Sequence, residues 1–84
     1  MELESLRRKI DGIDREIIEK LNERVRLAIE IGKIKHARGQ DIYNPTREVE
    51  ILEKLTEQNP GPLDDASIQS IFREIISSAR ASRG

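Results

Sequence analysis

The chain has no cysteine, one histidine and only two aromatic residues, Tyr43 and Phe72, among its 84 residues. Without cysteine neither a disulfide bond nor a thiolate metal site can form, and a single histidine makes a structural zinc site a poor interpretation. Small domains bury a smaller fraction of their unfolded surface than large ones do, about 60% for 60 residues, so a monomer of this composition would have a thin core. Of the usual remedies for a thin core, the composition leaves oligomerisation.

An excess of charge of one sign is also missing, because 15 Lys and Arg face 16 Asp and Glu. This balance is not typical of a protein that binds nucleic acid by bulk electrostatics. No apolar run approaches the roughly 18 residues of a membrane span. Residues 1–5 lack the basic and apolar regions of a signal peptide. We therefore expect a single cytoplasmic domain, residues 1–84, with no nucleic-acid or membrane partner.

Apolar residues recur at steps of three and four, which is typical of amphipathic helices. The spacing predicts an all-α fold with one long helix at about 2–38 and two short helices at about 45–58 and 64–82. Asn44 and Pro45 are suited to the start of the second helix, and Gly39 to the end of the first. The apolar positions of the first helix are Leu3, Leu6, Ile10, Ile13, Ile17, Leu21, Val25, Ala28 and Ile31.

The length of the first helix is itself informative. Thirty-six helical residues span roughly 50 Å, whereas a compact globule of this size has a radius of gyration of about 12 Å. Two short helices cannot cover such a stripe. The simplest further surface is the same helix of a second chain, so we expect an interlocked homodimer.

Charged residues interrupt the apolar faces. Arg24 and Lys35 lie in the middle of the stripe of the first helix, roughly 16 Å apart, and Arg7 lies at its edge. Glu48 shares the inward face of the second helix, with Arg47 beside it. Unpaired buried charges are costly, so each should meet an opposite charge.

Two interpretations of these charges stay open. In the first, Glu48 forms a salt bridge with Arg24 or Lys35 and the network is structural. In the second, the inward cations and one carboxylate surround a small di-anion. The excess of cations favours the second interpretation, and the residue types suit binding and electrostatic stabilisation rather than covalent or metal chemistry.

Several segments resemble the all-helical chorismate mutases, in order and over nearly the whole chain. They are Leu-Arg-Arg-Lys-Ile-Asp at 6–11, Glu-Ile-Gly-Lys-Ile-Lys at 30–35, Asn-Pro-Thr-Arg-Glu at 44–48, Asn-Pro-Gly-Pro at 59–62 and Ile-Phe-Arg-Glu-Ile-Ile-Ser at 71–77. The resemblance implies an intertwined homodimer with two equivalent sites. It also implies the rearrangement of chorismate to prephenate without cofactor, metal or covalent intermediate.

The same resemblance assigns roles by matching position. Arg24, and Arg7 from the partner chain, would hold the two carboxylates of chorismate. Lys35 would donate to the ether oxygen and Glu48 would accept from the ring hydroxyl. Asn44 would lie near that hydroxyl.

The remaining positions either add charge or depart from the family. Arg47 would add positive potential to the site. Ala79 stands where the family often has a serine. Arg83 stands where it usually has Gln or Glu facing the ether oxygen, and an arginine there is either a permanent cation at the breaking bond or part of a frayed end.

Two other functions remain compatible with these residues. Isochorismate pyruvate lyase uses the same fold and a similar cationic pocket. A non-catalytic dimerisation or effector-binding domain of a fused shikimate-pathway enzyme would bind without turnover. The family is often fused to prephenate dehydratase, so the chain is either a separate enzyme or one domain of a larger protein.

Overall fold

The structure, a computed structural model, describes residues 2–82, except for the side chain of Ser82. It contains three helices: α1 at Leu3–Ala37, α2 at Pro45–Gln58 and α3 at Asp65–Ser82. No strand occurs in the described residues, so the predicted all-α class is confirmed. Each helix begins and ends within one residue of its predicted bounds.

The molecule is elongated, because α1 is much longer than the helices that pack on it. The principal extents are 55 × 24 × 16 Å and the radius of gyration is 15.9 Å. A compact chain of this length would have a radius of gyration of about 12 Å. The 35 residues of α1, at about 1.5 Å each, account for most of the longest extent.

Helix α3 packs against both α1 and α2, and no backbone packing joins α1 to α2 in the described part of the chain. The apolar side chains buried in this single chain are Ile76 and Ala79, both on α3. Large apolar side chains along α1 stay exposed, among them Ile10 at 55% and Ile13 at 54%. The stripe predicted on α1 is thus largely uncovered by the rest of the chain.

The C-terminal end of α1 lies where the sequence predicts it. Gly39 has a φ of +67°, which a residue without a Cβ adopts at no steric cost. The Gly39 N–H donates to the carbonyl of His36 and the Gln40 N–H to that of Lys35, at 3.1 and 2.8 Å. This paired arrangement ends a helix firmly and fixes the last turn, which carries Lys35.

The start of α3 depends on one carboxylate. The Ser67 N–H donates to Asp64 Oδ1 at 2.7 Å, so Asp64 is the N-cap. Hydrogen bonds from the Ser67 side chain and backbone lower the pKa of the Asp64 carboxyl below its ordinary value of 3.8. Asp64 should therefore stabilise the fold above pH 3.8 and lose that contribution as the pH falls through its lower folded-state pKa.

We expect Asp64→Asn to change how stability responds to acid. Asparagine still caps a helix but does not ionise, so the variant should be less stable than the parent near neutral pH and approach it in acid. Urea unfolding at about pH 6 and about pH 2.5, at one protein concentration, measures the difference. Asp41→Asn, in the exposed connector, is the control for loss of a carboxylate. If the free energy of unfolding of Asp64→Asn differs from that of the parent by the same amount at both pH values, the expectation is contradicted.

None of the helices in residues 2–82 combines the length and the hydropathy that crossing a lipid bilayer needs.

Candidate functional site

A cavity of about 500 Å³ opens between α1 and α2 and is also lined by α3. This volume lies within the range typical of small-molecule sites. Apolar side chains make up about half of the wall, and the remaining residues are charged or polar. The lining residues are Arg24, Leu27, Ala28, Ile31, Lys35, Ile42, Asn44, Arg47, Glu48, Ile51, Ile76, Ala79 and Arg80.

Helix α1 supplies Arg24 and Lys35 to this cavity. The two residues are eleven apart on a continuous helix, so they lie on one face about three turns from each other. Both are half-buried. Within the described residues, neither has a carboxylate oxygen within the 4.0 Å of an ion pair. Both charges are therefore available to an anionic ligand.

The first turn of α2 supplies Asn44, Arg47 and Glu48. The Arg47 N–H donates to Asn44 Oδ1 at 3.0 Å, so Asn44 is the N-cap that the sequence predicted. Capping occupies the oxygen of the Asn44 amide and leaves its nitrogen to donate to a ligand. Arg47 is exposed and lies 3.9 Å from Glu50, a distance too long for a strong pair.

Glu48 forms its salt bridge with Arg80 of α3, through Nη1 and Oε2 at 2.6 Å. The structural interpretation of the sequence, in which Glu48 pairs with Arg24 or Lys35, is therefore wrong for this chain. Helix α3 thus supplies the guanidinium that pairs with this carboxylate of α2. The hydrogen bond to Glu48 raises the pKa of Arg80 above its ordinary value, so this side chain stays cationic throughout the physiological range.

The Arg80 guanidinium also stacks on an aromatic ring. Its central carbon lies 4.8 Å from the centroid of Tyr43, within the distance at which a cation and a ring attract each other. Tyr43 stands in the connector before α2. The guanidinium is thus held from two sides, by the ring of Tyr43 and by the carboxylate of Glu48.

Sequence reasoning missed Arg80, although a signal was present. Ile68, Phe72, Ile76 and Arg80 follow one another at steps of four, which places Arg80 on the apolar row of α3. The same test that singled out Arg24 and Lys35 on α1 would have found it.

Ala79 lies beside Arg80 in the cavity wall and is only 4% exposed. Its methyl group cannot donate the hydrogen bond that a serine would give. Arg83 lies outside the described residues, so its predicted role stays a prediction.

Arg7 is far from the cavity of its own chain. Its side chain is 61% exposed and pairs with Glu4 at 3.0 Å. Seventeen residues separate it from Arg24, which corresponds to about 25 Å along α1. Arg7 can therefore contribute to a site only if another chain brings that site to it.

The charges of the cavity are strongly unbalanced. Four cations line it, and Glu48 is the carboxylate among the described lining residues. No group of three or more side chains suited to a metal ion occurs in residues 2–82. Fold and site together define an all-α domain with a cationic cavity of a size for a small di-anion.

Comparison with known proteins agrees with this description. The model of the family "Chorismate mutase type II" matches residues 6–83, and the chain belongs to that family. The bifunctional chorismate mutase/prephenate dehydratase of Neisseria gonorrhoeae is 43% identical over 75 residues, which are 89% of this chain and 20% of that protein. The chain spans about a fifth of the length of the curated relatives it matches.

Several solved structures match over most of both chains. Chorismate mutase from Thermus thermophilus (form II) has a TM-score of 0.93 and 40% identity, over 94% of this chain and 90% of that one. Chorismate mutase from Helicobacter pylori, in complex with prephenate, has a TM-score of 0.87 and 32% identity, over 96% of this chain and 88% of that one.

Proposed function

We propose that this protein is a chorismate mutase that converts chorismate to prephenate in the biosynthesis of phenylalanine and tyrosine. The observation that carries the proposal is the cavity with its unpaired cations Arg24 and Lys35, in a chain of this family. Chorismate has two carboxylates, and prephenate has two as well. A related protein of the same fold is described in complex with prephenate.

The chemistry requires a conformation and an electric field more than a reactive side chain. The rearrangement is unimolecular, so holding the substrate in its compact conformation supplies a large part of the acceleration. Negative charge develops on the ether oxygen as the C–O bond breaks. We assign Lys35 to that oxygen, because fixed charges aimed at developing charge stabilise a transition state most effectively.

The other lining residues bind the substrate. Arg24 holds one carboxylate, and Arg47 adds positive potential at the first turn of α2, where free N–H groups also favour anions. Glu48 accepts from the ring hydroxyl, and the amide nitrogen of Asn44 lies near that hydroxyl. Ala79 contributes apolar wall in place of a hydrogen bond. No step in this scheme uses a cofactor or a metal.

We further propose that the working unit is an intertwined homodimer. A second, largely apolar groove of about 460 Å³ runs between α1 and α3. It continues the exposed stripe of α1, and a second copy of α1 would bring a similar apolar stripe to it. This arrangement would bring Arg7 of the partner to the cavity. The groove is lined by Ile13, Glu16, Ile17, Lys20, Leu21, Arg24, Ile71, Phe72 and Ile75.

We expect direct turnover of chorismate by the 84-residue chain. Disappearance of chorismate and formation of prephenate, followed by absorbance and by chromatography of the product, measure it. Isochorismate is the matched control substrate, because a pyruvate lyase would release salicylate and pyruvate from it. Binding of chorismate without either product would favour a non-catalytic effector-binding domain instead. Absence of both turnover and binding would overturn the proposal.

Two expectations stay predictions. Several curated relatives join a chorismate mutase to a prephenate dehydratase in one protein, so this chain is either a separate enzyme or one domain of such a protein. We also propose a cytoplasmic location, as the sequence predicts.

A further inference from the structure

Among the described residues, the cavity is lined by one carboxylate and by four cations that could form an ion pair with it. Glu48 is the acidic residue among the described lining residues, with Arg24, Lys35, Arg47 and Arg80 around the same space. The cation that pairs with Glu48 is neutralised, and the others remain for a ligand. The structure gives Glu48 to Arg80, at 2.6 Å.

The geometry of Arg80 suits it to hold the carboxylate permanently. Its guanidinium is planar and stacks on Tyr43 at 4.8 Å, so less rotational freedom is lost when it pairs than for a flexible ammonium. The contact joins α3 to α2 across 32 residues of sequence. It uses Oε2 of Glu48, while Oε1 accepts no hydrogen bond from the described residues and remains open to a ligand.

Lys35 is the competitor that this arrangement excludes. Its ammonium sits on a long flexible stem in the wall of the same cavity. A half-buried carboxylate without a partner attracts such a charge strongly. A Lys35–Glu48 pair would have to break before Lys35 could meet the charge that develops on the substrate, and this would cost transition-state stabilisation more than ground-state binding.

We infer that Arg80 is a positioning residue which, by holding Glu48 against α3, keeps Lys35 and Arg24 unpaired for the anionic substrate. The expected effect on kcat rests on the proposed function, whereas the expected position of Lys35 does not. Tyr43 supports Arg80 by fixing the plane of the guanidinium. Neither residue needs to touch the substrate.

Kinetics of Arg80→Met test the inference. We expect kcat to fall by about tenfold, with a smaller change in KM. The reason is that Lys35 would then pair with Glu48, and Lys35 is the group assigned to the charge that develops in the transition state. Arg80→Lys should have activity within about threefold of the parent, because it keeps the charge that pairs with Glu48. Recovery should be incomplete because the stacking on Tyr43 is lost. Arg73→Met, an exposed arginine of the same helix, is the matched control and should behave as the parent.

A second background separates positioning from a merely structural or a direct role. In Glu48→Gln no anion competes for Lys35, so adding Arg80→Met should lower kcat by less than about threefold. Equal losses in the two backgrounds would show that Arg80 does not act through Glu48, and would overturn the inference. Thermal unfolding of each variant checks that the fold is kept. If Arg80→Met does not fold, Arg80→Gln, which keeps a donor without the charge, replaces it.

A crystal structure of ligand-free Arg80→Met provides a readout that does not depend on chorismate. We expect Lys35 Nζ within about 4 Å of the Glu48 carboxylate, whereas the parent has no such pair. A Lys35 side chain that keeps its parent position would overturn the inference. Lack of turnover by the parent would overturn the proposed function and leave this measurement valid.

Discussion

Replacing Lys35 with alanine should lower kcat on chorismate by on the order of a hundredfold or more, as expected for loss of a donor that stabilises developing charge. Lys35 is half-buried in the cavity wall, has no carboxylate partner among the described residues, and stands in a turn that Gly39 ends firmly. The ammonium is therefore carried by an ordered backbone and is unpaired before the substrate arrives. Because we assign it to the ether oxygen, where negative charge develops in the transition state, KM should change less than kcat.

Lys33→Ala is the matched control for this experiment. Lys33 is two residues away on the same helix, is 70% exposed and pairs with Glu30 at 3.6 Å. Its loss removes the same charge from the protein but not from the cavity, so activity should stay near that of the parent. Near-parental activity in Lys35→Ala would remove the basis of the proposed mechanism.

Arg7→Ala and Arg24→Ala should each abolish nearly all activity, yet partly restore it when the two proteins are mixed. The 25 Å or so of helix between these residues means that one chain cannot bring both to one cavity. In a heterodimer of the two variants, one site combines the intact Arg24 of one chain with the intact Arg7 of the other. The second site of the same dimer has neither arginine.

The extent of recovery is set by symmetry. Random exchange makes about half of the dimers heterodimers, and half of their sites are intact, so an equimolar mixture should recover about a quarter of the parental activity. The control is the doubly substituted chain mixed with the parent. Each site of that heterodimer lacks one arginine, so exchange should lower the activity of the mixture from about a half to about a quarter of the parental value. No recovery in the mixture of single variants would contradict a shared site.

The helices could be predicted from the sequence because their signals are local. The three-and-four spacing of apolar residues, the cap at Asn44 and the glycine at position 39 depend on neighbours within one or two turns. They define α1, α2 and α3 without reference to tertiary contacts. The length of α1 then led to the expectation of a partner, and the exposed side chains along it are consistent with that expectation.

The site could be predicted only in part. Arg24 and Lys35 could be identified because a charge in the middle of an apolar stripe is visible from the sequence of one helix alone. The partner of Glu48 could not be identified in this way. It is 32 residues away in the sequence and depends on how α2 and α3 pack together. No helical pattern encodes that placement. Sequence reasoning therefore found Arg24, Lys35 and Glu48 but missed Arg80, and its structural interpretation paired Glu48 with Arg24 or Lys35 instead.

Helix α3 holds α1 and α2 apart, and its two buried residues, Ile76 and Ala79, also form part of the cavity wall. The side chains that stabilise the chain are thus the ones that set how much room a substrate has. A larger residue at position 79 would gain buried area and lose cavity volume in the same step. At these two positions, substitutions should therefore change thermostability and turnover together.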